Sequence, residues 1–349
     1  MSPTIPTELE RYVRQMRFGP LGEEGQQRIR ESRVLICGCG ALGSVIANTL
    51  ARAGVGHLRI VDRDFLEWNN LQRQVLFTEA DVTAGIPKAV AAKSHLEQIN
   101  SEIEIEALVA NVSAQNIGEL IDSVDCIVDG TDNFETRFLL NDAAVKNNIP
   151  WVYGGCLGSE GQTMTILPDE TPCLHCLMQA GPPPPGTTPT CDSAGILSSI
   201  INVIASIQAL EAIKIVSGNR DKTSRVLQIF DLWDNQVRQV NLDQLLEGKQ
   251  CPTCNHHQFD WWTGKQGSQS AILCGRNAVQ LAFSSDARID LEELGNKLSS
   301  LGNVSVNPFL LKAEIEEFEI TVFADGRAII KGTEDEVVAR NIYAKYIGN

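Results

Sequence analysis

The first half of the chain alternates short apolar runs with longer stretches of helical periodicity. Arg33–Cys37 (RVLIC) leads through Gly38-Cys39-Gly40-Ala41-Leu42-Gly43 into a helical pattern that continues to about Gly54. His57–Asp62 (HLRIVD) reads as a second strand ending on a carboxylate, and Ile103–Leu108, Cys126–Asp129 and Trp151–Tyr153 read as further strands. Between them lie helical stretches such as Phe134–Asn147, and a helix that opens after Pro87, where the missing N–H of proline costs nothing. Strand alternating with helix predicts an α/β, Rossmann-like, mostly parallel sheet with crossover helices.

From about Gly161 the pattern changes. Gln162–Leu167, Val226–Phe230 and Val237–Leu242 look like strands that extend the sheet into a mixed one. The apolar stretch Ala194–Val216 is broken by Asn202, Gln208, Glu211 and Lys214, so it reads as a buried helix and not a membrane span. A boundary near Asn255–Gly267 separates residues 1–255 from a small α+β unit over 268–349. That unit is expected to hold a helix (Leu291–Leu301), a strand (Phe318–Phe323), an Asp325-Gly326 hairpin turn and a final helix from Glu334.

Among 349 residues, 29 Lys+Arg against 44 Asp+Glu give a formal charge of −15. A general binder of nucleic-acid backbone needs the opposite sign. The first 30 residues include Glu8, Glu10, Arg11, Arg14, Arg17, Glu23 and Glu24, without an apolar core of secretory length. A reducing cytoplasm is the expected setting, where Cys-x-x-Cys pairs are more often metal sites than disulfides.

Gly38, Gly40 and Gly43 have the spacing that brings backbone close to phosphate at a helix N-terminus, where free N–H groups favour an anion. Asp62, 19 residues after Gly43, stands where a carboxylate binds ribose hydroxyls. These residues alone fit a nicotinamide or flavin dehydrogenase equally well. Others narrow the choice. Asn69-Asn70-Leu71-Gln72-Arg73-Gln74 follows Asp62, Gly85-Ile86-Pro87-Lys88 opens the next helix, and Asp129-Gly130-Thr131-Asp132-Asn133 ends the fourth strand. Arg73 and Lys88 suit phosphate oxygens, and Asp132 suits Mg2+, a hard cation that takes carboxylate and phosphate oxygens. A triphosphate needs that set; a dehydrogenase does not. Singly, the same residues read as a surface arginine, a helix-start lysine and a helix cap.

Two Cys-x-x-Cys pairs, Cys173/Cys176 and Cys251/Cys254, supply the four thiolates of a closed, structural zinc site. His175 lies inside the first pair, in a turn tight enough to point it away. Cys37, Cys39, Cys126, Cys156 and Cys274 occupy apolar contexts and read as small buried hydrophobes. Between the pairs, Pro182-Pro183-Pro184-Pro185-Gly186 cannot form helix, and Cys191 follows just ahead of the apolar helix.

From Arg11-Tyr12-Val13-Arg14-Gln15 through Cys254 the chain resembles the ThiF/MoeB/HesA family, bacterial relatives of ubiquitin-activating enzymes. The resemblance implies that ATP is the nucleotide and that Arg14 reaches the ATP of the other subunit in a homodimer. It implies Asp62 at the ribose, Asn70, Arg73 and Lys88 around the phosphates, and Asp132 as the Mg2+-associated aspartate. The implied substrate is the C-terminal Gly-Gly carboxylate of a ubiquitin-like sulfur carrier of ThiS or MoaD type, adenylated for thiamine or molybdopterin synthesis. Cys191 matches the crossover-loop cysteine, which links covalently to the activated carrier in some members and is dispensable in others. Cys37 and Cys39 depart from the Val, Gly or Ala common in the glycine loop. The last unit is not the rhodanese domain fused to some relatives; it is similar to the C-terminal extension of ThiF-like members. Beside this reading stand adenylation of another peptide or an RNA base, an NAD-dependent oxidoreductase, and an inactive scaffold.

Overall fold

Eight strands form the sheet of the first unit: β1 (Arg33–Cys37), β2 (His57–Val61), β3 (Glu104–Leu108), β4 (Cys126–Asp129), β5 (Trp151–Leu157), β6 (Glu160–Ile166), β7 (Val226–Asp231) and β8 (Gln236–Asn241). Their order is β3-β2-β1-β4-β5-β6-β7-β8. Neighbours from β3 to β5 run parallel, and β6, β7 and β8 add on antiparallel. This is the expected Rossmann-like core with a mixed extension. The computed structural model describes residues 7–183, 191–246, 250–266, 270–273, 277–281, 289–324 and 326–348. The chain divides into Met1–Pro185 with Gly195–Gln266, and Gly186–Ala194 with Gly267–Asn349.

Every residue of β4, and all of β1 except Arg33, is buried, as strands covered by helices on both faces must be. On one face the Ser198–Val216 helix packs Ile200, Ile201, Ile204, Ala205, Ala209 and Ala212 into the core with Ile36, Val128 and Val152. That helix is long and apolar enough to cross a membrane, yet its polar residues show what it does here. Glu211 is buried, accepts from Thr165 Oγ1 (3.0 Å) and Ser224 N (2.7 Å), and pairs with Lys214. On the other face Leu35, Ile127, Phe138, Leu140 and Trp151 form a second cluster. β5 runs past the expected Tyr153 to Leu157 because Gly154–Leu157 find antiparallel partners in β6.

Asn100 fastens the N-terminal segment. Its Nδ2 donates to Tyr12 Oη and Ala51 O, both at 2.8 Å, and its Oδ1 accepts from Arg11. The buried Tyr12 ring demands a glycine at position 54, where φ is +85° and a Cβ would lie 2.5 Å from the ring.

The second unit holds β9 (Ser270–Leu273), β10 (Ala278–Leu281), β11 (Asn303–Val306), β12 (Leu310–Ile315), β13 (Phe318–Phe323) and β14 (Ala328–Lys331), in the order β11-β12-β13-β14-β10-β9. Every pairing is antiparallel. Helices Leu291–Leu298 and Glu336–Tyr346 contribute Leu294, Leu298 and Ile342 to a core with Leu311, Ile320, Val322 and Ile330. Asp290 and Asp335 cap these helices by accepting from the first free N–H groups. The first helix stops at Leu298, short of the expected Leu301. β13 and β14 pair as a hairpin with Gly326 at φ +84°, while Asp325 lies outside the described residues.

Replacing Asn100 by Ala removes the donor to the buried Tyr12 hydroxyl and one of the two donors to the Ala51 carbonyl, which keeps the Gly54 N–H. Losing these bonds is expected to cost about 2–3 kcal/mol. Urea unfolding should show a lower midpoint at unchanged slope.

Candidate active site

The glycine loop lies between the carboxyl ends of β1 and β4, where the strand order reverses and α/β sheets open a crevice. Its three glycines are needed for different reasons. Gly38 has φ +85°, and a Cβ there would lie 2.6 Å from Gly130 O. At Gly43 a Cβ would lie 1.9 Å from Gly38 O, so both positions are fixed by backbone packed on backbone. At Gly40 a Cβ would meet only Gln74 Nε2, at 3.8 Å. Internal packing leaves that space open. Gly40 is also the N-cap of the Ala41–Ala53 helix and brings no capping side chain. The N–H groups of the first turn therefore remain available, the arrangement that receives an anion.

Charged groups surround this opening. Asp62 is buried at the end of β2 and accepts from Cys39 N (2.6 Å) and Asp64 N (2.7 Å). Burial pushes its pKa up, against the pull of Lys88. Lys88 is 5% exposed and pairs with Asp64 at 3.2 Å, while its own N–H donates to Asp64 O at 2.9 Å. Burial acts to lower the Lys88 pKa, but Asp64, Asp62 and Asp132 together hold it above the ordinary lysine value. The ammonium is thus charged and held toward the crevice.

Asp132 is exposed in the loop after β4, and its charge acts on both Lys88 and Arg137. The loop is held by Asp129, whose Oδ1 accepts from Thr131 N (2.8 Å) and Thr131 Oγ1 (2.7 Å). Asn133 then caps the next helix by accepting from Thr136 N. Arg73 donates to Asn69 O at 2.6 Å. The Asn70 amide is used inside its own turn, donating to Asn69 Oδ1 (2.8 Å) and accepting from Glu67 N (3.0 Å), so it shapes the loop that carries Arg73. Arg14 is exposed on the Val13–Met16 helix, without a bonded partner among the described residues. Cys191 begins the Cys191–Ala194 helix, but its side chain lies outside the described residues.

Two residues here escape a motif reading. Arg137 is buried, donates from Nε to Asp129 Oδ2 (3.3 Å) and from Nη2 to Thr131 O (2.7 Å) and Gly154 O (3.0 Å), and lies over the Phe134 and Tyr153 rings. Asp64 is the resident counter-ion of Lys88. Arg137 had a signal in the sequence: a cation beside Phe138, Leu139 and Leu140 on a buried helix face needs a carboxylate partner.

The four cysteines converge in the same unit. Sγ–Sγ distances are 3.8 Å for Cys173–Cys176, 3.6 Å for Cys173–Cys251 and 3.4 Å for Cys176–Cys254. Tetrahedral zinc with thiolates at about 2.3 Å places sulfurs about 3.8 Å apart, so the donor set fits. His175 turns its Nδ1 to Thr253 Oγ1 (3.0 Å) and is not part of the sulfur cluster. Cys37, Cys39 and Cys126 are fully buried as expected; Cys156 is only partly so. Cys274 lies outside the described residues.

The model of the ThiF family matches residues 12–253. The chain is 45% identical over 339 residues to the sulfur carrier protein ThiS adenylyltransferase of Bacillus subtilis (strain 168), covering 97% of this chain and 99% of that protein. It is 37% identical to the SAMP-activating enzyme E1 of Haloferax volcanii, over 73% of this chain and 92% of the relative. It is 40% identical to the adenylyltransferase and sulfurtransferase MOCS3 of Anopheles gambiae over 67% of this chain, and spans about half of that longer relative (53%). Among solved structures, E. coli MccB with ATP superposes at a TM-score of 0.59 and 23% identity, covering 72% of this chain and 76% of that one, a likeness of fold.

The unequal roles of the glycines give a split result on mutation. Gly43→Ala should lower stability by at least about 2 kcal/mol, by overpacking against backbone. Gly40→Ala should cost about 1 kcal/mol or less but weaken ATP binding about tenfold, the loss of one or two backbone–phosphate bonds. Melting temperature and calorimetric titration with ATP separate the two. Metal analysis should find about one zinc per chain, and Cys173→Ser should lose it; unchanged zinc content would refute the four-thiolate site.

Proposed function

The chain belongs to the ThiF family, and from that premise we propose that it adenylates the C-terminal Gly-Gly carboxylate of a ubiquitin-like sulfur carrier protein, using ATP and releasing pyrophosphate. The observation that carries this reading is the convergence of an uncapped helix N-terminus behind Gly40 with the buried, charged Lys88. The 45% identity with a ThiS adenylyltransferase over nearly its whole length supports the choice of substrate. A nicotinamide-dependent oxidoreductase and an inactive scaffold are less well supported, because neither needs a charged, buried Lys88 under the influence of Asp132.

The carboxylate of the carrier attacks the α-phosphorus, the bond to the bridging oxygen breaks, and pyrophosphate leaves with that electron pair. A terminal carboxyl with a pKa of about 3.5 is already ionised, so no general base is required. The obstacle is one anion approaching another. Unit charges about 4 Å apart repel by roughly 4 kcal/mol at an effective dielectric near 20. Lys88 and Arg73 offset that repulsion and stabilise the charge that develops on the leaving group. The first-turn N–H groups hold the phosphates, and Asp62 binds the ribose. Asp132, with an exposed carboxylate, is suited to hold Mg2+, which when bound neutralises phosphate oxygens. Arg14 completes the site of the partner in a homodimer, and Cys191 is a candidate for a covalent link to the activated carrier. We place this chemistry in the cytoplasm, feeding thiamine or molybdopterin synthesis.

Carrier-dependent exchange of labelled pyrophosphate into ATP tests the reading. Lys88→Ala and Arg73→Ala should nearly abolish exchange with the fold intact; wild-type rates in both would sink it. Arg14 acting across the dimer is tested by mixing Arg14→Ala with Asp132→Ala subunits, each inactive alone. Exchanged heterodimers should regain one site in two; no recovery in verified heterodimers would remove the trans arginine.

A further inference from the structure

β4 and β5 pair only through Ile127–Trp151 and Val128–Val152. Beyond that point β5 pairs with β6, while β4 ends at Asp129 and turns into the loop that carries Asp132. The strands thus part at the edge of the active site. Gln208, fully buried on the Ser198–Val216 helix, occupies this fork. Its Nε2 donates to Asp129 O at 2.8 Å and to Val152 O at 3.2 Å, one carbonyl from each prong. Arg137, from another helix, repeats the pattern with Thr131 O and Gly154 O.

Two observations indicate that this amide is kept for the geometry it imposes. Gly154 lies inside a strand, where glycine weakens pairing, and its φ is not positive. A Cβ there would lie 2.4–2.5 Å from the Gln208 amide carbon, nitrogen and oxygen, so the glycine makes room for the glutamine. Gln208 Oε1, moreover, is buried and accepts no hydrogen bond among the described residues. An apolar residue of similar size would leave no such acceptor, yet glutamine stands here.

We propose that Gln208 is a positioning residue for the adenylation reaction: it fixes the width of the β4–β5 fork and, through Asp129 and Thr131, the placement of Asp132. This rests on the functional reading above, in which Asp132 holds Mg2+. A glutamine acting this way passes its effect through a main-chain carbonyl, then the Asp129 carboxylate, then the Thr131 N–H. Its loss should therefore appear as a higher magnesium requirement before it appears as a loss of fold.

The test uses the full chain with Gln208→Met, which keeps volume and removes both donors, and Gln208→Glu, whose buried carboxyl when protonated restores one donor. In Gln208→Met the Mg2+ concentration for half-maximal pyrophosphate exchange should rise about tenfold, the usual scale for losing a group that orients a metal ligand. Amide hydrogen exchange across Gly130–Asn133 should quicken, with the rest of the sheet unchanged. At pH 6 Gln208→Glu should recover part of the wild-type magnesium dependence, since its single donor can serve one of the two carbonyls. The proposal is overturned by wild-type magnesium dependence and exchange protection in Gln208→Met. It is also overturned if Gln208→Glu at pH 6 is as impaired as Gln208→Met, or if both variants lose activity only with a collapse in melting temperature, which would make Gln208 a packing residue. Asp132→Ala separates the two readings: full exchange in that variant would discredit Asp132 as the metal ligand, while faster amide exchange in Gln208→Met would still establish the fork.

Discussion

The site depends on one close approach, that of the backbone at Gly38 and Gly43 to the backbone at Gly130. A Cβ at Gly130 would lie 2.4 Å from Gly38 O, and one at Gly43 1.9 Å from the same oxygen. Gly130 N donates to Cys37 O and Gly38 N to Val61 O, both at 2.8 Å, so main-chain bonds join the ends of β2, β1 and β4. No side chain separates the helix N-terminus that awaits an anion from the loop that carries Asp132. The distance between a bound phosphate and that carboxylate is therefore set by backbone dimensions, the stiffest ruler a protein has.

Charge is arranged on the same principle, with each buried ion given a partner before any ligand arrives. Lys88 has Asp64, and Arg137 has Asp129. An unpaired buried charge would be far more costly than either pair. In a chain of net charge −15, an incoming triphosphate meets general repulsion, so the cations that receive it must be local, charged and already oriented. Asp64 does this for Lys88 while remaining partly exposed on its own account, which leaves the ammonium able to turn to a phosphate.

Much of this was legible because its signals are local. RVLIC followed by a glycine loop, HLRIVD ending on Asp62, and the paired cysteines each declare themselves within a few residues, and they lead directly to β1, β2 and the sulfur cluster. Gln208 did not, because its role is defined by carbonyls from β4 and β5, and main-chain carbonyls carry no sequence signal. Asn70 shows a part that a motif does not reveal: its amide also shapes its own turn, through Glu67 N and Asn69 Oδ1. The strands β9 to β12 escaped because their partners are fixed by tertiary pairing more than by pattern.

The zinc knuckles illustrate how far such pairing goes beyond the ligands. His175 in the first knuckle meets Thr253 in the second, whose hydroxyl donates to Asp142 at 3.2 Å. A hydroxyl has one proton, so Thr253 gives it to the carboxylate and accepts from His175 Nδ1–H, which assigns the imidazole tautomer. Asp142 also accepts from Trp261 N (3.0 Å) and Trp262 N (3.3 Å), and the neighbouring Asn141 Oδ1 accepts from Leu174 N at 2.8 Å. Burial pushes the Asp142 pKa up to about 6, so its three donors offset only part of the cost of ionising it. Both knuckles are thus tied to the Phe134–Asn147 helix through bonds that involve no metal. The helix that starts at the Asp132 loop is the same one that orients the cysteines, so a displacement at either end is resisted by the packing of the other.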